Sequence, residues 1–344
     1  MSSSLAHYLG SKTVKDFIAS RPARPLVSCE DIDALPEAMQ RLVDNGVLAM
    51  PVYSHSTGEY VGLIGMLEIV KCIADLHWEF LESPKPYREA EIYVEFNKRR
   101  VSETLTPRQV KISESATYLV AIQTLISGGL RRLPVMDAST GRITHIVTES
   151  EVVDVVFEGL SVLDPAILAR PLSRLGVLSH LAARQSTDDL FRVSVTGRTD
   201  SKLELMETGL VSVNGIAKAI EAFRVIVSTG VSAVPIVDFD QAIQSTISVR
   251  DIRRIAANAA NVRVLYEEDC AAFSRRAWAE RGVDQPGGEG DKASQPLIFV
   301  SKDDTVRTAV ERLHANKMHR VWVVDDKRRP VGVVTLRDVV GDLL

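Results

Sequence analysis

The chain has 344 residues, 45% of them hydrophobic and 25% charged, with a formal net charge of −4 at pH 7. That is enough apolar sequence for two cores of ordinary domain size, at ~100–200 residues each, and the acidic balance argues against a general polyanion binder, whose affinity comes from Lys and Arg neutralising phosphates. Cys29, Cys72 and Cys270 are odd in number and widely spaced, which excludes an obvious disulfide framework or zinc site.

A short N-terminal tail, residues 1–10, precedes one small unit repeated four times, each reading helix, strand, strand, helix. In the first (about 11–78), Ala38 and Leu42 mark a helix face, Val47-Leu48-Ala49-Met50-Pro51-Val52 a tight apolar turn, and Glu68 a closing helix. A charged stretch from Glu79 to Arg100 then leads to the second (about 100–158). There Ile122, Leu125 and Ile126 mark the first helix, strands fall near 133–136 and 143–147, and a closing helix begins at Thr148. The third (about 170–258) contains an extra polar insert, about 184–207, before Ala219, Ile220 and Phe223 mark its helix. A Gly- and Pro-rich stretch, about 281–294, reads as a flexible loop. In the fourth (about 294–344), Ser301-Lys302-Asp303-Asp304 supplies cap-forming residues ahead of Val306, Ala309, Val310 and Leu313. A hairpin and a closing helix from Thr335 follow.

Pro51, Pro134, Pro235 and Trp322 hold equivalent turn positions, and the acidic residues Glu68, Glu151, Asp251 and Asp338 follow them by 17, 17, 16 and 16 residues. No nucleophile, base or metal ligand repeats with them, which points to ligand sensing rather than chemistry. Neither a phosphate-binding Gly-Lys-Ser/Thr loop nor a G-x-S-x-G or H-E-x-x-H motif is present, so no catalytic residue, catalytic cofactor or metal is expected. Met1–His7 has no apolar signal core, and no run approaches the ~18 apolar residues that cross a bilayer. The expectation is a cytoplasmic, or also nuclear, protein without membrane or nucleic-acid partners.

The four motifs Asn45–Val52, Gly129–Asp137, Gly230–Asp238 and Lys317–Asp325, each followed by a strand and an acidic helix start, resemble the cystathionine-β-synthase (CBS) domain family. With four units the chain is similar to the γ regulatory subunits of AMP-activated and sucrose-non-fermenting-type protein kinases. The resemblance implies an α/β fold of four CBS repeats paired as two Bateman modules, 11–165 and 166–344, stacked as a pseudo-symmetric disk. It further implies AMP, ADP and ATP as regulatory ligands and catalytic α and scaffold β kinase subunits as partners. A free-standing CBS protein, able to form a homo-oligomer, that binds an adenosyl ligand and regulates another enzyme or transporter is the alternative.

By the same resemblance, Asp251 and Asp338 match the family's ribose-binding acid, while Glu151 and Glu68 depart from it by one methylene. His319-Arg320 matches its phosphate-contacting pair; Arg131-Arg132 retains the charge in the second repeat, and Leu48-Ala49 lacks it in the first. Arg250 and Arg337 flank the acids and could complete a phosphate shell, with Ser232, Ser248, Thr335 and Thr148 as further nucleotide contacts. The residues themselves also allow a second role. Thr148-Glu149-Ser150-Glu151 is a capping box, and Ser248–Asp251 and Thr335–Asp338 are close analogues, so each acid could serve backbone N–H groups and the helix dipole instead; Gly65 gives Glu68 no such side-chain partner.

Overall fold

Four antiparallel hairpins carry the repeat, because each pairs two β-rich apolar runs across a polar turn. In the computed structural model, which describes residues 4–21, 25–81, 89–107, 110–174, 210–255, 262–279 and 298–343, Ala49–Tyr53 (β2) pairs with Tyr60–Gly65 (β3) and Arg132–Met136 (β6) with Ile143–Thr148 (β7). Ala233–Val237 (β9) pairs with Ile243–Ser248 (β10), and Arg320–Val324 (β12) with Pro330–Thr335 (β13). All four registers slip near the turn, the same β-bulge repeated.

A short leading strand, absent from the helix–strand–strand–helix reading, lies parallel to the first hairpin strand in each repeat: Cys29–Glu30 (β1), Ile112–Ser113 (β5), Val213–Asn214 (β8) and Phe299–Ser301 (β11). In three repeats the parallel pairing begins one residue after the proline, at Val52, Val135 and Ile236. In the fourth it begins at Trp322 itself, opposite Phe299. Proline has no N–H to give a ladder, so its replacement by Trp322 allows the longer leading strand.

Residues 4–10, expected as a tail, form a helix whose Leu5 and Leu9 are fully buried. It lies so close to the end of the helix Glu149–Glu158 that a Cβ on Gly159 would come within 2.8 Å of Leu5 Cδ1. The fourth repeat's first helix, Val306–Ala315, is capped by Thr305, which accepts from the Thr308 N–H at 3.2 Å. Asp304, in the stretch expected to cap it, instead holds the Ser301 N–H at 2.8 Å.

The segments leading into the repeats are exchanged. Val14 and Lys15 donate backbone N–H bonds to Ala116 and Glu114 of the second repeat, whereas Val101 and Ser102 donate to Asp33 and Asp31 of the first. Thr106–Pro107 (β4) then extends the first repeat's sheet beside β3. Likewise Leu172 and Ser173 donate to Asp304 and Lys302 of the fourth repeat, and Cys270 and Ala271 to Ala217 and Gly215 of the third. Repeats one and two thus trade leading segments, as do three and four.

Side-chain packing groups the repeats differently. Of the described residues, one compact unit holds 4–21, 25–26, 110–174 and 298–343, hence repeats two and four; the other holds 27–81, 89–107, 210–255 and 262–279, hence repeats one and three. These groups differ from the sequential modules 11–165 and 166–344 expected from chain order. The physical reason lies in the closing helices. Val152, Val153, Val155 and Val156 are all buried, an apolar surface too wide for one sheet to cover, and this helix also packs on Val306–Ala315 and on the helix Leu336–Leu343. In the other unit Met66–Leu81 packs on the helix Ala219–Thr229 and on the 3-10 turn Val249–Ile255. The expected insert at 184–207 and loop at 281–294 lie outside the described residues.

Candidate functional site

Each closing helix begins at the end of a hairpin, and in three of the four its first turn brings an acidic side chain back to the strand it has just left. Asp338 Oδ2 accepts from the Thr335 N–H at 2.7 Å and from its hydroxyl at 2.5 Å. Asp251, buried, accepts through Oδ2 from the Ser248 N–H and hydroxyl, both at 2.8 Å. Glu151 completes the box with Thr148, accepting its N–H at 3.1 Å through Oε2, while Oε1 meets His145 Nε2 at 2.8 Å. Glu68 has no cap to make beside Gly65; its Oε1 accepts from the Thr106 hydroxyl at 2.7 Å, on the exchanged strand. The capping role therefore exists at three positions. It also fixes each carboxylate's direction, and the two bonds to Asp338 converge on one oxygen, leaving Oδ1 without a bond among the described residues.

The unit of repeats two and four brings together most of the expected cations. His319 immediately precedes β12, and Arg320 is its first residue; Arg131 holds the matching place before β6, and Arg132 opens β6 opposite Thr148. His319 Nε2 meets the Ser150 hydroxyl at 2.5 Å. Arg337 Nη2 crosses from the fourth repeat to donate to the Leu130 carbonyl of the second at 3.0 Å, and its buried Nε has no hydrogen-bond partner among the described residues. Burial, and then the neighbouring Arg131 guanidinium, bring Arg320 down to about 10, against an opposing pull from Glu149. Arg320 still carries its charge at neutral pH. His319, Arg320 and Arg337 thus gather near one carboxylate, Glu149, which lies 3.6 Å from His319 Nδ1 and 3.8 Å from Arg337 Nη2, with Arg131 beside Arg320. Such a group is suited to a multiply charged oxyanion, since Arg offers a planar donor fork and the shared burial strengthens each contact.

The remaining expected residues lie in the unit of repeats one and three. Ser232 is buried, and its carbonyl accepts from the Val249 N–H at 3.0 Å. Ser248 caps through Asp251, and Arg250 is half-buried in the 3-10 turn that follows β10. Sequence reasoning missed Glu149 and Ser150 as parts of the cationic group. It also missed a second link between repeats two and four, where the His314 ring stacks on Phe157 at 3.8 Å and its Nδ1 lies 3.0 Å from Asp154 Oδ1. Both depend on which helices face each other, and no local motif encodes that. Among the described residues no group of His, Cys, Asp or Glu is placed to hold a metal ion, and no helix is long and apolar enough to cross a membrane.

Four repeated hairpins with exchanged leading segments, each followed by a helical turn that carries an acid, define a class. The family model of the CBS domain matches residues 14–75, 101–158, 202–258 and 291–344, and the chain belongs to the CBS-domain family. More particularly, it is similar to 5'-AMP-activated protein kinase subunit gamma-3 of Bos taurus, at 24% identity over 98% of this chain and 59% of that protein. It is also similar to the 5'-AMP-activated protein kinase subunit gamma of Dictyostelium discoideum, at 19% identity over 90% of this chain and 48% of that one. The chain therefore spans less than two thirds of the length of these curated relatives. Protein MJ1225 of Methanocaldococcus jannaschii, proposed as an archaeal homolog of γ-AMPK, shares the fold with a TM-score of 0.64 at 13% identity, over 97% of this chain and 100% of that one.

Proposed function

We propose that this chain is a non-catalytic regulatory protein that senses adenine nucleotides, acting as a γ-like subunit of a heterotrimeric metabolic kinase with catalytic α and scaffold β partners. The observation that carries this reading is the convergence of Arg131, His319, Arg320 and Arg337 from two repeats on one locus. AMP, ADP or ATP would place phosphate there and the ribose diol against a capped carboxylate, with Asp338 as the ribose acceptor in this unit and Asp251 in the other. An Asp or Glu suits a ribose because it accepts from both cis hydroxyls. Similarity to γ subunits along almost the whole chain supports the kinase partners. Regulation follows if the nucleotides differ in affinity for two arrangements of the chain and its partners.

A free-standing CBS protein that binds an adenosyl ligand and regulates another enzyme or transporter is the second reading, open because the chain spans less than two thirds of the kinase-subunit relatives it matches. Recovery of a kinase and a β-type scaffold with the tagged chain supports the first reading, and an isolated homo-oligomer supports the second. Nucleotide sensing itself is tested by calorimetry with AMP and adenosine. Arg320→Ala should weaken AMP by roughly one to two orders of magnitude, as expected for a charge-assisted bond of ~1.5–3 kcal/mol, and leave adenosine nearly untouched. Equal effects on both ligands would refute phosphate recognition by Arg320.

A further inference from the structure

The residue that follows the cap is apolar in three of the four repeats: Met66 after Gly65, Val249 after Ser248 and Leu336 after Thr335. Met66 and Leu336 are buried in their cores and Val249 is packed against its own. In the second repeat the same position is Glu149. Its carboxylate is not needed for the cap, because Thr148 and Glu151 already exchange both capping bonds. It is instead largely enclosed, with its side chain 15% exposed, and turned toward the cations of the fourth repeat.

The contacts it makes there are loose. At 3.6 Å from His319 Nδ1 and 3.8 Å from Arg337 Nη2, both lie beyond the ~2.7–2.9 Å of a close charge-assisted hydrogen bond. A carboxylate held this way neutralises part of the cluster without locking it, and a phosphate arriving at the same donors would meet it as a like charge.

Resting on the nucleotide reading above, we infer that Glu149 is a specificity-determining residue of the phosphate site, a built-in anion that competes with ligand phosphate for His319 and Arg337 and biases the site toward nucleotides carrying few phosphate charges. Like-charge repulsion grows with the number of charges brought near. Glu149 therefore penalises ATP more than AMP and leaves adenosine alone. Its effect weakens with added salt to the extent that the cluster is open to solvent.

The test is calorimetric titration of AMP, ATP and adenosine, without added metal ion, into the intact wild-type chain and two variants. Glu149→Gln removes the charge at constant shape, and Glu149→Leu restores the apolar character of the other repeats. Both keep the cap and should fold, with melting lowered to the extent that Glu149 offsets repulsion within the cluster. The expected result is AMP binding tighter by about threefold and ATP by about tenfold or more in both variants, an order of magnitude set by one like charge at partly screened range, with adenosine unchanged. An ATP-to-AMP affinity ratio that stays put in both variants, while the wild type binds nucleotide, overturns the role of Glu149 and leaves the nucleotide reading standing. Failure of the wild type and both variants to bind either nucleotide overturns the two together.

Discussion

The two compact units share one plan and use their arginines for opposite purposes. In the unit of repeats one and three, Arg224 lies over the Trp78 ring at 4.1 Å and donates to Glu221 at 2.9 Å. Arg254 lies over Phe273 at 4.8 Å and pairs at 3.0 Å with Glu268, whose other oxygen takes Arg276 at 2.7 Å. These three cations are held by two carboxylates, Glu221 and Glu268, and are part of the packing. The turns of that unit carry Leu48-Ala49 and Ser232-Ala233, with no charge. In the unit of repeats two and four the same turn positions carry Arg131-Arg132 and His319-Arg320, with Glu149 as the carboxylate among them. The comparison teaches that the hairpin and its capped helix are a neutral frame, and that two residues at the turn decide whether a unit presents excess positive charge.

The largest effect that would sharpen this contrast is a core deletion. Phe223 is almost fully buried and meets Phe273 edge-on, with ring centroids 5.7 Å apart. Phe223→Ala should cost about 3–5 kcal/mol and strip amide exchange protection from repeats one and three first. Equal loss of protection in repeats two and four would show that the two units do not have separate cores.

An acid-sensitive step should follow from His77 in the same unit. Burial, and then the nearby Arg224, lower its pKa from 6.5 to about 4, and its ring sits 5.4 Å from Tyr266. The unfolded chain binds a proton as pH falls below 6.5 while the folded one resists until about 4. Stability therefore falls across that window on acidification, by up to roughly 3 kcal/mol at ~1.4 kcal/mol per pKa unit. Denaturant titrations at several pH values check it. His77→Phe should flatten that dependence, and an unchanged slope in the variant would contradict the assignment.

A smaller effect is expected at the ribose acids. Asp338→Ala should lower melting through loss of its cap, worth ~0.5–2 kcal/mol, and should weaken AMP and adenosine alike because both carry the diol. A melting change with both affinities intact would leave Asp338 as a cap alone.

Much of this frame was legible in the sequence. The four turns, their strands and the acid of each closing helix recur at fixed distances because each repeat is a local unit, with the hairpin closed over a short span of chain. The leading strands were not legible, being two or three residues long and paired more than twenty residues away. Nor was the exchange that sets Val14 on the second repeat and Val101 on the first, since the backbone bonds involved leave no side-chain pattern. The grouping of repeats was hidden for a related reason: the valines of Glu149–Glu158 announce an apolar helix but do not name the helix that covers them. At the candidate site the cations were legible one by one, through His319-Arg320 and Arg131-Arg132. Glu149 was visible only as part of a capping box, and its place among those cations depends on repeats that stand far apart in the chain.

That separation also fixes how the central claim is best tested. Cutting the chain between its sequential halves would divide Arg131 and Glu149 from His319, Arg320 and Arg337, so the intact chain is needed. The direct measurement is a double-mutant cycle on AMP affinity with Arg131→Ala, Arg320→Ala and the pair, read by calorimetry with adenosine as reference. If both guanidiniums hold one phosphate, each single change should cost AMP about tenfold or more, and the double should depart from the sum of the singles by at least ~0.5 kcal/mol, as contacting residues do. Strict additivity, or losses shared equally by adenosine, would contradict a phosphate site built jointly by repeats two and four.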